Sequence, residues 1–394
     1  MDLSYGPEYE AYRGEVRSFL RGAWSAEYRR DAGRIAEFRQ RATEQGYLFR
    51  NIPRRFGGSE QPPDVLKAQV ISEEFARVRA PLEPAGNGVR MLVPTLLECG
   101  AEWQQERFVP PTLRGEIDWA QGYSEPGSGS DLASVRTRGE LVGGEWVING
   151  QKIWTSNAQN CQYMFALVRT EPEVPKHQGI SYLLLDLRQP GVTVRPLKMV
   201  TGESGFNEIF FDDVRTPADW IVGQRGEGWQ VSRATLKHER SAIGNAGTYI
   251  EQFDKLVELA RRRERDGRPA IEDPLVQQRL AEIEGYVTAH KYSTYRQLSM
   301  TLAGKDPGRV SYMNKLVGTD IGHRIASLAE ELIGDDSLVM PVYRRNHKVG
   351  DERWMNQFFG TLGVAIAGGT SNIQRNIIAE RGLGLPRDSS SGSP

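Results

Sequence analysis

Gln121-Gly122-Tyr123-Ser124-Glu125-Pro126-Gly127-Ser128-Gly129-Ser130-Asp131 sits where a helical pattern gives way to a strand pattern. Pro126 with Gly127 and Gly129 forbids a regular helix or a central strand there, so the segment is a turn or loop. Ser124, Ser128 and Ser130 line it with hydroxyls, and its glycines let the backbone come close to a ligand. Such a loop can offer N–H and O–H donors to an anionic group such as a pyrophosphate. Gly, Ser and Pro clusters are also ordinary surface-turn chemistry, and the segment alone does not separate the two readings.

Upstream, from about Glu8 to Arg114, the spacing is helical. Tyr12, Val16, Phe19 and Leu20 recur at intervals of three and four, and Ile35, Phe38 and Ala42 repeat the pattern before Gly46. A turn-rich connection over Pro53–Pro63 precedes a helix over Asp64–Arg79 with Asp64 as its cap, then helices around Ala85–Gly100 and Trp103–Arg114. Downstream the period changes. Leu141-Val142, Gly143-Gly144 and Trp146-Val147-Ile148 read as strand, turn and strand, and Asn149-Gly150 carries a tight-turn signature. Tyr163–Arg169, Ile180–Leu187, Val192–Leu197 and Glu208–Phe211 continue as strands without intervening helices, which argues for a small antiparallel barrel or sandwich. After Gly226 the chain is helical again. Ile250, Phe253, Val257 and Ala260 mark one apolar face; Val310, Met313, Leu316, Val317, Ile321, Ile325, Leu328 and Leu332 mark a longer one, with Asp306-Pro307-Gly308 between them. The expected fold is α+β: an all-α domain over 1–117, a β domain over 118–226, a four-helix bundle over 227–387 and a disordered Ser/Gly tail over 388–394.

Composition narrows the function. The 394 residues carry 50 Lys and Arg against 51 Asp and Glu, a net charge of −1, so no global field favours nucleic acid or a membrane surface. Two cysteines in unrelated contexts, Cys99 and Cys161, argue against a disulfide framework and fit a reducing cytoplasm. The five histidines show no ligand spacing, and no metal is expected. No secretory leader is expected at the N-terminus, and no apolar run reaches the length of a membrane span. Rossmann and P-loop signatures are absent.

Five segments, in order, resemble the acyl-CoA dehydrogenase family of flavoproteins. They are Tyr123–Asp131; Asn149-Gly150-Gln151-Lys152-Ile153-Trp154-Thr155-Ser156-Asn157-Ala158; Glu208–Pro217; Gly226-Glu227-Gly228-Trp229 running into Leu236-Lys237-His238-Glu239-Arg240; and Gly369-Thr370-Ser371-Asn372-Ile373-Gln374-Arg375. The resemblance covers essentially all of the chain. It implies FAD as cofactor, α,β-dehydrogenation of an acyl-CoA to a trans-2-enoyl-CoA, an electron-transferring flavoprotein as acceptor, and a homotetramer or homodimer.

The resemblance also implies residue roles. Gln121, Tyr123, Ser124, Gly129 and Ser130 would contact the flavin, with Ser124 on the ring and Ser130 near the pyrophosphate and the CoA. Trp154, Thr155 and Ser156 would shield the isoalloxazine, and Thr370, Ser371 and Asn372 would reach FAD from the last helix. Many relatives carry a glutamate immediately before the Gly-Thr of the fifth segment, but here Gly368 precedes Gly369-Thr370. A smaller group, isovaleryl- and long-chain-type dehydrogenases, places that carboxylate on a bundle helix just before an arginine. Glu239-Arg240 stands at that position, so Glu239 is the expected α-proton base, with the flavin N5 as hydride acceptor. Arg240 would approach the CoA or acyl chain, and the N–H of Gly369 or its neighbour, with the flavin's own ribityl hydroxyl, would polarise the thioester carbonyl. Glu-Arg recurs elsewhere, and a surface acid paired with Lys237 or Arg240 is the alternative for Glu239. Two departures concern the neighbouring subunit's cofactor: Glu331-Leu332-Ile333-Gly334-Asp335 stands where relatives show Gln-x-x-Gly-Gly, and an Arg-x-x-Phe element before the second bundle helix is not evident. Competing readings are a non-catalytic flavin-binding partner subunit and an acyl-CoA oxidase or flavin monooxygenase on the same fold.

Overall fold

The computed structural model describes residues 5–338 and 352–386; the side chains of residues 238–243, 302, 352 and 353 lie outside that description. The tail read over 388–394 also lies outside the described residues. The chain packs as two compact units, Met1–Gly127 with Ala133–Val194 and Ile209–Thr235, and Ser128–Leu132 with Arg195–Glu208 and Leu236–Pro394.

In the first unit the helices are α1 (Pro7–Ala23), α2 (Ala32–Glu44), α3 (Val65–Val78), α4 (Val93–Cys99) and α5 (Glu102–Arg114). Local chemistry starts two of them: Asp31 accepts the Arg34 N–H at 3.0 Å and Asp64 the Lys67 N–H at 2.9 Å, each satisfying an orphan donor of the first turn. The periodic residues Val16, Leu20, Phe38 and Phe75 are buried, with Phe38 and Phe75 in ring contact at 5.8 Å.

Across α1 and α3, the buried Glu74 carboxylate receives Arg13 at 3.1 Å, Arg17 at 2.9 Å and Arg77 at 2.9 Å. Burial alone would raise its pKa, but the three guanidinium groups hold it down to about 2. The unfolded chain, near the ordinary 4.5, binds that proton more tightly. The stabilisation is therefore complete above pH 4.5 and is lost as pH falls from there towards 2. Glu74→Gln is expected to cost about 3 kcal/mol at pH 7, since the buried carboxylate on which three arginines converge is lost and Arg13 is left to the more exposed Glu73 and Glu10. Urea midpoints compared at pH 7 and pH 3 test this: the gap between the two proteins should narrow at the lower pH.

The strands are β1 (Trp119–Gly122), β2 (Arg138–Val142), β3 (Glu145–Ser156), β4 (Tyr163–Arg169), β5 (Ile180–Asp186), β6 (Val192–Leu197), β7 (Phe206–Pro217) and β8 (Ile221–Val222). They form one sheet in the order β6-β7-β3-β2-β4-β5-β8, with β1 added beside β4. Of the two β architectures expected, the open, sandwich-like one forms and the barrel does not close. Nor is the sheet wholly antiparallel, because β1 pairs with β4 in parallel, Gln121 opposite Phe165. A parallel pair needs a long crossover, and the β2–β3 hairpin supplies it. The apolar runs of β4 and β5 are buried almost throughout, as central strands covered on both faces require.

Asn149-Gly150 is not a turn. The hairpin turns at Gly143-Gly144 (φ 62° and 86°), and β3 runs on through Asn149 and Gly150 to Ser156. The Asn149 side chain instead exchanges two hydrogen bonds of 2.9 Å with Asp213 of β7. Gly150, at φ 146°, brings its backbone so close to Thr137 that a Cβ would lie 2.7 Å from the Thr137 Cα.

The remaining helices are α6 (Gly228–Ile243), α7 (Ala246–Arg262), α8 (Pro274–Leu302), α9 (Asn314–Ile333), α10 (Glu352–Ile366) and α11 (Ser371–Ile377). In the second unit α9 packs against α7, α8 and α10 around Phe253, Leu256, Ile283, Ile321, Ile325, Leu328 and Trp354. The longer apolar face begins later than its spacing suggests. Gly308–Met313 is a 3-10 turn with Gly308 at φ 69°, so Met313 is exposed and α9 starts at Asn314. Among the described residues no helix is long and apolar enough to cross a membrane.

Candidate active site

In the first unit, the loop after β1 is built around a buried ion pair. Lys152 of β3, with no exposed surface, donates to Glu125 at 2.7 Å and to the Tyr123 carbonyl at 3.2 Å. Glu125 also accepts the Arg136 N–H at 2.6 Å and the Thr137 N–H at 2.9 Å. Burial pulls the Lys152 ammonium down to about 8 against the opposing pull of Glu125. Burial would raise the Glu125 carboxyl, but the Lys152 charge and the N–H donors hold it below the usual carboxylate range.

Several sequence-expected residues hang on this clamp. The Ser124 carbonyl accepts the Ile153 N–H at 2.9 Å, which ties the loop to the strand carrying Trp154, Thr155 and Ser156. Tyr123 is buried edge-on to Phe165 and Tyr182, at 6.0 and 6.3 Å. Gln121 is half-buried on β1. Thr155 is buried and Ser156 half-buried, whereas Trp154 is 60% exposed with φ 59°. A tryptophan so exposed, in a left-handed conformation rare for a bulky residue, places an aromatic ring at the surface of the strand end. Gly127 and Gly129 border open space, with nothing within 4 Å of a Cβ at either. Behind the clamp, Thr95 and Thr235 share a hydrogen bond of 2.9 Å, and Thr235 donates to the buried Tyr182 hydroxyl at 3.3 Å. Thr235 precedes Glu239 by four positions on α6; the Glu239 and Arg240 side chains lie outside the described residues.

In the second unit, Ser128 donates its hydroxyl to the Asp131 carbonyl at 2.8 Å, while Gly129 and Ser130 are exposed. Gly368 and Gly369 have φ 62° and 95°, and a Cβ at 369 would lie 2.7 Å from Gln374 Nε2. Thr370 caps α11, accepting the Ile373 N–H at 3.3 Å through its hydroxyl oxygen, which leaves its O–H able to donate. Asn372 accepts Arg375 at 3.3 Å, and Ser371 is half-buried. Two side chains beyond the expected set hold this loop. Lys315 of α9 donates to the carbonyls of Gly369 at 2.8 Å and Ala365 at 3.3 Å, and Gln374 donates to that of Gly368 at 3.0 Å. The available signal for Lys315 was a lone cation among the apolar positions of α9. Glu331, at the departure from Gln-x-x-Gly-Gly, pairs with Arg279 and, at 3.6 Å, with Arg265.

Three family models match along the chain: the acyl-CoA dehydrogenase N-terminal domain over 6–116, the middle domain over 120–214 and the C-terminal domain over 226–383. The acyl-CoA dehydrogenase IpdE1 of Mycobacterium tuberculosis is 39% identical over 397 residues, covering 97% of this chain and 99% of that protein. The cyclohexane-1-carbonyl-CoA dehydrogenase of Geobacter metallireducens is 29% identical, over 73% of this chain and 76% of that one. Among solved structures, a chain of the ChsE4-ChsE5 complex from Mycobacterium tuberculosis superposes with a TM-score of 0.78 at 28% identity, covering 98% of this chain and 100% of that one. A chain of the Tcur3481-Tcur3483 steroid ACAD gives the same TM-score, 0.78, at 28% identity with the same coverage, 98% and 100%.

Proposed function

The chain belongs to the acyl-CoA dehydrogenase family of oxidoreductases, and from that premise we propose that it is an FAD-dependent enzyme converting an acyl-CoA thioester to the trans-2-enoyl-CoA. The observation that carries the cofactor is the hydroxyl-bearing loop that Lys152 and Glu125 pin beside the strand bearing the exposed Trp154. Open space at Gly127 and Gly129 and the donor capacity of Thr370 fit the same group. Gln121, Tyr123, Ser124, Gly129, Ser130, Trp154, Thr155, Ser156, Thr370, Ser371 and Asn372 would hold it. When bound, the flavin supplies the hydride acceptor that no side chain can provide.

The chain's own residues supply the remaining chemistry. Glu239 takes the α-proton, a task that calls for a carboxylate whose pKa a closed, apolar, substrate-filled site has raised. The Gly369 N–H hydrogen-bonds the thioester oxygen and favours the enolate-like charge that builds as the proton leaves. Arg240 and Ser130 hold the CoA end. Electrons then pass to an electron-transferring flavoprotein.

For the acyl group, we favour cyclic acids, steroid-derived ones included, as the named activities of two similar proteins suggest. Anaerobic titration of the purified yellow protein with a panel of acyl-CoAs tests both halves. Cyclic thioesters should bleach the visible flavin band at least about tenfold faster than short straight-chain ones, a ratio within what pocket contacts deliver. Colourless protein that refuses added FAD would end the flavoenzyme reading, and a straight-chain preference would end the substrate assignment.

A hetero-oligomer is favoured over the homotetramer by one observation. Glu331 is engaged by Arg279 and Arg265 where relatives present glutamine to the neighbour's cofactor. Native mass of the chain alone, and its flavin content alone against co-expression with a candidate partner, separate the two states.

A further inference from the structure

Lys315 is 3% exposed, and among the described residues its ammonium meets no carboxylate. Burying a cation costs several kcal/mol unless hydrogen bonds offset it, and an apolar side chain of similar size usually serves stability as well or better. Its charge is instead spent on two backbone carbonyls. One, at Ala365, lies in the last turn of α10, where carbonyls lack helical partners and the helix dipole favours a cation. The other belongs to Gly369.

The second contact has a directional consequence. A trans peptide is planar, with its C=O and the following N–H pointing opposite ways. Turning the Gly369 carbonyl onto Lys315 therefore turns the Thr370 N–H away from it. Gln374, 2% exposed, does the same one residue earlier by gripping the Gly368 carbonyl, which directs the Gly369 N–H. Neither N–H donates a hydrogen bond to any described residue. Gly368 and Gly369 adopt the positive φ angles that this arrangement needs without a Cβ penalty. The loop thus presents two adjacent donors, each aimed by a side chain on its far face.

We propose that Lys315 is a positioning residue for the dehydrogenation, its ammonium fixing the Gly369–Thr370 peptide and so holding in place the loop whose Gly369 N–H, directed by Gln374, meets the thioester oxygen. This rests on the α,β-dehydrogenation reading above. Lys315 touches neither substrate nor cofactor in this account; it acts through the backbone it holds.

The test compares Lys315→Met, Lys315→Gln and Lys315→Arg holoenzymes with wild type. Two probes are bound to each: an acyl-CoA thioester and the matching thioether, in which a methylene replaces the carbonyl. Lys315→Met should retain its flavin, bind the thioether as wild type does, lose the thioester's advantage over the thioether, and turn over about a hundred-fold more slowly, the scale of losing one aimed donor. Lys315→Arg, keeping the charge, should recover much of that loss. Should Lys315→Met fail to fold, Lys315→Gln gives the reading, because it keeps an N–H donor, one atom short of the ammonium, while removing the charge. Equal weakening of thioester and thioether would mark a merely structural lysine and overturn the proposal, as would a neutral variant with undiminished thioester preference. A wild-type flavin that no acyl-CoA reduces would instead sink the dehydrogenation reading, so the two failures are told apart.

Discussion

Glu239→Gln is expected to lower the rate of flavin reduction by acyl-CoA by about a hundred- to ten-thousand-fold while the protein stays yellow and still binds thioester. The magnitude is that of losing a general base whose pKa is matched to the proton it takes. Glutamine keeps the shape and hydrogen-bonding edge of the side chain but cannot accept the proton, so KM should move far less than kcat. Moving the carboxylate to 368 in the Glu239→Gln background asks whether location or mere presence matters. That residue would occupy φ 62°, a left-handed conformation that costs a residue with a Cβ about 1–2 kcal/mol. Partial recovery, well short of wild type, is therefore the expected result for Glu239→Gln with Gly368→Glu. Single-turnover rates measured anaerobically decide the matter, and near-normal reduction in Glu239→Gln would remove Glu239 from the mechanism.

What the sequence disclosed and what it concealed follow from how far each interaction reaches along the chain. Caps such as Asp31 and Asp64 act over three residues, so their positions are readable directly. The helical faces of α7 and, from Leu316 on, of α9 likewise follow from local periodicity. Asn149-Gly150 has the composition of a hairpin turn, yet Asp213, far along the chain, engages Asn149 and Thr137 crowds Gly150. Tertiary contacts there outweigh a local preference. The grip of Lys315 on Gly369 joins residues 54 positions apart, and that of Arg13 on Glu74 joins residues 61 apart; no spacing rule links either pair. The candidate site is legible in the sequence only as an ordered set of short segments, whereas the side chains that hold those segments in place are visible only through the fold.

The ion pair between Lys152 and Glu125 carries the second large effect. Both partners are buried, and the pair joins the loop after β1 to the strand that bears Trp154. Lys152→Met would leave the Glu125 carboxylate buried with two backbone N–H groups and no cation; Glu125→Gln would strand the ammonium. Removing one member of such a pair costs about 3–5 kcal/mol, far more than the pair itself contributes relative to apolar residues. Each single variant should therefore unfold at markedly lower urea concentration and lose FAD on dialysis, because Tyr123 and Ser124 are no longer held against β3. The double variant Lys152→Met with Glu125→Gln should be more stable than the sum of the two single losses allows, since it leaves no uncompensated charge. Additive losses would mean that the two side chains act independently and that the hydrogen bonds to Tyr123, Arg136 and Thr137, rather than the ion pair, hold the loop. A double variant that regains stability but not FAD would locate the pair's contribution in aiming the loop rather than in holding the domain together.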